Sequence, residues 1–206
     1  MIAIIDYGVG NLFSISSSLR QLGFDCKVTN TEQDLKTATH IILPGVGAFG
    51  DAMKKLSDTG LIPELKKQVG SGKPLLGICL GMQMLFQESS EYGIHQGLGF
   101  LKGKICPMDE DLKAGGFDYK VPQIGWNSLI FKKSDCSILS GIKEGDFVYY
   151  VHSYYAKDCA KSLAAGSDYG VFVPGVVSDG NVYGTQFHPE KSGSVGLAIL
   201  KSFCEL

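Results

Sequence analysis

Leu75-Leu-Gly-Ile-Cys-Leu-Gly-Met-Gln-Met-Leu85 is a continuous apolar run that reads as a buried strand passing directly into a helix. One residue, Cys79, stands at the joint, with Gly77 and Gly81 two positions to either side. This G-x-C-x-G spacing is that of a nucleophile elbow with cysteine in place of serine. A sharp strand-to-helix turn brings backbones close together, which is why glycines belong there. It lifts the sulfur above the sheet edge and sets it at a helix N-terminus, where unpaired N–H groups favour an anion. The pattern predicts a strand over Pro74–Ile78 and a helix over Leu80–Gln87. A cysteine buried in a strand for packing alone has the same local look, so the rest of the chain must decide.

Upstream, strand and helix patterns alternate. Ile2–Ile5 reads as a strand, Leu12–Leu22 as a helix closed by Gly23, Asp25–Thr29 and His40–Leu43 as strands. Leu61, Leu65 and Val69 share one face of a further helix that stops at Gly70 and Gly72. That alternation predicts a parallel sheet covered on both faces. Downstream, Val121–Asn127, Phe147–Tyr155, Ser162–Ala165, Phe172–Ser178 and Asn181–Phe187 read as strands separated by turns. Asp179-Gly180 is a strong hairpin signal. A last helix is expected over Ser194–Phe203. The fold class is therefore α/β: a parallel or mixed central sheet flanked by helices, with an antiparallel extension.

The composition narrows the function. At 206 residues the expectation is one domain spanning 1–206. With 44% hydrophobic and 19% charged residues the chain can bury a sizeable core, which excludes a disordered protein. A net charge of −2 with a single arginine, Arg20, lacks the electrostatic footprint of a nucleic-acid binder. No apolar run is long enough to span a membrane. The first residues carry no basic leader, so a cytoplasmic location is expected. The six cysteines show no C-x-x-C spacing, so they are expected as reduced thiols with no metal site.

A cysteine nucleophile needs a base. Among the four histidines, His188 in Gly184-Thr-Gln-Phe-His-Pro-Glu190 has the best company. A residue two along an extended chain points the same way, so Glu190 can hold the imidazole as the third group of a triad. Zinc-deaminase chemistry also uses H-x-E but needs a P-C-x-x-C partner, which the chain lacks. Oxyanion donors are expected from the Leu80 N–H, just after the nucleophile, and from Val46 in Pro44-Gly-Val-Gly47, where flanking glycines make a peptide easy to reorient. Gly45, Gly47 and Gly50 also match G-x-G-x-x-G. That fingerprint normally follows the first strand rather than the third, which argues against a dinucleotide site.

Taken together, Gly77-Ile-Cys-Leu-Gly-Met-Gln83 and Phe187-His-Pro-Glu190 resemble the class I glutamine amidotransferases, the Cys-His-Glu triad family. Asp6-Tyr-Gly-Val-Gly-Asn-Leu12, Leu43-Pro-Gly-Val-Gly-Ala-Phe49, Ile124-Gly-Trp-Asn127, Val151-His-Ser-Tyr154 and His188-Pro-Glu-Lys-Ser192 resemble, in order over nearly the whole chain, that family's glutaminase subunits of histidine biosynthesis. The resemblance implies that Cys79 attacks the side-chain amide of L-glutamine with His188 as base and then acid, without a cofactor. It assigns Gln83, Glu91 and Gly47 to holding the substrate, with His152, Ser153 and Tyr154 lining the same pocket. It also implies a heterodimer with a (β/α)8-barrel cyclase that takes the ammonia through a tunnel, with Gln123, Trp126, Asn127 and Lys191 near the interface. The phosphosugar would bind the barrel, in keeping with the single arginine here. Gln123 and Gly193 depart from the residues many members carry, histidine and glutamine. Two further readings stay open: the same glutaminase serving a surface-sugar amidotransferase, and an α/β binding module without activity. A thiol protease or elbow-type hydrolase would need a different chain-wide pattern.

Overall fold

The computed structural model describes residues 1–133 and 135–206. In chain order the elements are β1 (Ile2–Ile5), α1 (Leu12–Gln21), β2 (Cys26–Thr29), α2 (Glu32–Thr37), β3 (His40–Leu43), α3 (Phe49–Asp58), α4 (Ile62–Gly70), β4 (Leu75–Ile78) and α5 (Leu80–Met84). There follow β5 (Glu88–Ser89), β6 (His95–Gln96), β7 (Lys104–Pro107), α6 (Met108–Ala114), β8 (Gln123–Ser128), β9 (Ile130–Phe131), β10 (Phe147–His152) and β11 (Tyr154–Lys157). The chain ends with β12 (Leu163–Tyr169), β13 (Val171–Asp179), β14 (Val182–Thr185) and α7 (Gly193–Cys204).

The main sheet has the order β2-β1-β3-β4-β14-β13-β12-β9. Its first five strands run parallel, and from β14 onward each neighbour is antiparallel. The four central parallel strands β1, β3, β4 and β14 are buried along their whole length, as strands covered on both faces must be. Their side chains alternate between two cores. Ile2, Ile4, Ile42 and Leu76 face one side with Ile15 and Leu19 of α1 and Ile199 and Phe203 of α7. Ala3, Ile5, Ile41 and Leu75 face the other with Leu35, Leu56 and Leu65 of α2, α3 and α4. Asp179 pairs with Val182 across the expected two-residue hairpin.

Two expectations need correction. The helix after Cys79 ends at Met84 rather than Gln87. The carbonyls that would extend it are taken by a returning segment: Leu98, Gly99 and Leu101 donate to Met84, Phe86 and Leu85. Phe147–Tyr155 is two strands, because the chain changes sheets at Ser153: β10 pairs with β8 and β11 with β7. The helices α2, α3 and α6 and the short strands β5, β6 and β7 were not read from the sequence. Each is short or interrupted by glycine, so its period is faint.

Candidate active site

The β4–β14 register determines the site. Gly77 lies opposite Gly184 and Ile78 opposite Thr185, so both strands finish side by side. Cys79 follows one of them and the segment Gln186–His188 follows the other, at the carboxyl end of the sheet where open α/β folds place ligands. The Cys79 N–H donates to the Thr185 carbonyl at 2.7 Å, tying the two ends together.

Cys79 adopts φ 55° and ψ −112°, a left-handed backbone that a non-glycine residue adopts only when its surroundings enforce it. The enforcement is steric. A Cβ on Gly77 would sit 2.7 Å from the Gly81 carbonyl and from the Met82 amide, and one on Gly81 would land on the Leu43 carbonyl. A Cβ on Gly45 would reach the Gly81 nitrogen at 2.7 Å, so the Pro44–Gly47 loop packs against the elbow itself. Leu80 is the first residue of α5, and its N–H has no acceptor inside the helix.

The three residues of the expected triad come together. His188 is 2% exposed, and its Nδ1 lies 2.8 Å from Glu190 Oε1. Burial alone would push the imidazole down, but its interactions with Cys79 and with Glu190 outweigh that and raise it to about 9. The sulfur lies 3.9 Å from the Val151 carbonyl and 3.8 Å from the Gln186 amide nitrogen. A second donor reaches Glu190 Oε1: Asn11 Nδ2, from the loop after β1, at 3.2 Å. Glu190 Oε2 is buried without a partner among the described residues, so the whole carboxylate is committed through one oxygen.

Cys79 and His188 open into a cavity of about 460 Å³, within the usual range for small-ligand sites. Val46, Gly47, Leu80, Gln83, Glu91 and His152–Tyr154 are among the residues that line it. The Gln83 side-chain NH2 donates to the Tyr154 carbonyl and to Gln186 Oε1, both at 3.0 Å. Glu91 Oε2 accepts the Phe49 N–H at the start of α3 at 2.6 Å, which anchors one oxygen on a helix N-terminus. Burial raises the Glu91 carboxyl, against the lowering effects of that N–H and of the His95 charge. His152 is pushed down to about 4, chiefly by burial. The Tyr154 carbonyl only accepts, so His152 Nδ1, 2.9 Å away, carries the proton of the neutral ring.

The four residues expected at an interface fare differently. Trp126 is 55% exposed on β8, edge-on to Tyr149, and Lys191 is also exposed. Asn127 spends its NH2 on the Asp168 carbonyl at 2.8 Å. Gln123 faces inward: it is buried, its amide 2.9 Å from His152 Nε2, so it supports the pocket wall rather than an outer surface. Sequence reasoning passed over Asn11 and Gln186, although both lie inside stretches it singled out. Their signal was an amide side chain within a glycine-rich or triad-bearing segment, which carries no period. Among the described residues, no group of three or more His, Cys, Asp or Glu is arranged to hold a metal ion, and no helix is long and apolar enough to cross a membrane.

Comparisons with known proteins extend over the whole chain. A family model described as glutamine amidotransferase class-I matches residues 3–205. A protein named imidazole glycerol phosphate synthase subunit HisH, from Caldanaerobacter subterraneus subsp. tengcongensis, is 47% identical over all of this chain and 98% of its own length. One of the same name from Bacillus licheniformis is 50% identical over 98% of this chain and 95% of its own. Among solved structures, one described as PurLQS from Thermotoga maritima matches with a TM-score of 0.76 at 20% identity, covering 99% of this chain and 97% of its own. Another, described as a glutamine amidotransferase, gives 0.75 at 20% identity over 100% and 98%. At that identity the likeness concerns the fold.

Proposed function

The chain belongs to the class I glutamine amidotransferase family, and from that premise we propose that it is the glutaminase subunit of an imidazole glycerol phosphate synthase, supplying ammonia for histidine biosynthesis. The observation that carries the proposal is that Cys79 and His188 open into one cavity, with Glu190 behind His188 on its Nδ1, in a chain that matches the HisH proteins from end to end. That end-to-end match favours the histidine pathway over delivery to surface sugars.

The reaction follows from the geometry. Glutamine enters with its carboxamide toward Cys79. Gln83 has both N–H bonds committed, so its carbonyl oxygen is left to accept from the substrate. Glu91, anchored through Oε2, offers Oε1 to the α-ammonium. With its proton already held by His188, whose imidazole is raised to about 9, the sulfur attacks the carboxamide carbon. The oxygen's developing charge falls to the Leu80 and Val46 N–H groups. His188 then protonates the departing nitrogen, the C–N bond breaks and ammonia leaves. Water adds to the γ-glutamyl thioester as His188 takes its proton, the C–S bond breaks, glutamate is released, and the sulfur is restored with the proton held by His188. Glu190 holds Nδ1 throughout, so that Nε2 is the working nitrogen.

Val46 lies exposed between Gly45 and Gly47, the latter at φ 97°. Reorientation of its peptide would complete the oxyanion site, and one such donor is worth roughly 10²–10³ in rate. A partner that stabilises the completed form would switch the glutaminase on. The partner is a (β/α)8-barrel cyclase bound as a heterodimer, with exposed Trp126 and Lys191 on the contact face. Glutamate release, measured with and without the cyclase and its ligand, tests this. Strong stimulation is expected; release indifferent to any such cyclase would contradict the paired-subunit reading.

A further inference from the structure

We infer that Gln186 is a positioning residue that ties the substrate-holding side chain to the nucleophile, its carbonyl fixing Gln83 and its NH2 group orienting the Cys79 sulfur. The inference rests on the glutaminase reading above. Gln186 is wholly buried, where an amide is costly unless its hydrogen bonds are made.

Its orientation follows from its neighbours. The Tyr154 carbonyl can only accept, and Gln83 Nε2 lies 3.0 Å from it, so the NH2 end of Gln83 faces that way. The same nitrogen lies 3.0 Å from the Gln186 side chain, which must therefore present its oxygen. The Gln186 NH2 is left pointing at Cys79 Sγ, 3.8 Å away. The two amides form a chain of fixed polarity running from a main-chain carbonyl to the sulfur. Turning Gln186 would set two NH2 groups against each other, and turning Gln83 would set its oxygen against two acceptor oxygens. A donor on sulfur is strongest when the sulfur carries charge, in the attacking form and again when it leaves the thioester. Gln186 thus presents the nucleophile from one side and, through Gln83, sets the acceptor that the substrate meets.

Two substitutions separate the two ends of this side chain. Gln186→Glu keeps an oxygen for Gln83 but sets an acceptor against the sulfur. Gln186→Met keeps the bulk and removes both bonds. Each is assayed for glutamate release in complex with the barrel cyclase, beside the wild-type complex, with iodoacetamide alkylation of Cys79 as an independent readout. Gln186→Glu is expected to lower kcat about 10- to 100-fold with KM within about threefold. Gln186→Met is expected to lower kcat comparably and also to raise KM about tenfold, since Gln83 is released. Alkylation is expected to slow in both. Wild-type kcat and alkylation in either folded variant would overturn the inference, as would losses confined to thermal stability. Should Gln186→Glu not fold, Gln186→Met decides on the same readouts. A wild-type complex that released no glutamate would sink the glutaminase reading; an active wild type with an unimpaired variant would sink only this inference.

Discussion

At the scale of single residues, the site works by committing polar atoms so that few remain free. Glu190 spends Oε1 on both His188 and Asn11, and its other oxygen has no partner among the described residues. Asn11 therefore sets the height and tilt of the carboxylate that orients the base. Asn11→Ala is expected to lower kcat for glutamate release about tenfold with KM within twofold, because the lost bond is to a charged group outside the substrate pocket. A raised KM with unchanged kcat would contradict that placement. Cys79, His188 and Glu190 were legible in the sequence because two short motifs carry them at fixed spacing. Asn11 and Gln186 were not, since each acts across a distance in the chain that no local pattern records: 179 positions separate Asn11 from Glu190 and 107 separate Gln186 from Cys79.

At the scale of elements, the elbow depends on three glycines, Gly77 in β4, Gly81 in α5 and Gly45 in the loop after β3, packed without room for a methyl group. Gly81→Ala would drive a Cβ into the Leu43 carbonyl, which neither strand nor helix can yield. A loss above about 3 kcal/mol, or no folded protein, is expected in urea unfolding. Gly72→Ala is the contrast: φ is 96° there but the space is open, so only backbone strain of about 1 kcal/mol applies. Equal losses would show that the elbow's crowding is not what fixes the turn. Strands β1 and β4 could be read from the sequence because each is a short apolar run bounded by polar residues, proline or the Cys79 joint. The end of α5 could not, because what stops it is the return of residues 98–101 onto its carbonyls. The break at Ser153 was equally hidden: Phe147–Tyr155 keeps a strand-like composition while its partners change from β8 to β7.

At the scale of the whole molecule, two buried histidines give opposite pH dependences. His152 falls from 6.5 to about 4, so below pH 6.5 the unfolded chain takes up a proton that the folded chain refuses. Stability is expected to fall by about 3 kcal/mol as pH drops from 6.5 to 4. His188 rises from 6.5 to about 9, so its contribution is complete below pH 6.5 and is lost as pH climbs toward 9. Urea midpoints followed across pH 4–9 should therefore peak near 6.5, and His152→Gln should flatten the acid limb; an unchanged limb would contradict the assignment. On the outer face, Trp126→Ala is expected to weaken cyclase binding at least tenfold while leaving the free chain's Tm nearly unchanged, as an exposed anchor should. The chemistry proposed at the strand-to-helix joint is the cleavage of glutamine by the Cys79 sulfur. Its most direct test is acid quenching of the working complex in the presence of glutamine, followed by mass spectrometry of its peptides. A γ-glutamyl group on the peptide bearing Cys79, absent in Cys79→Ala, is the expected result; glutamate release with that peptide unmodified, or release surviving Cys79→Ala, would contradict it.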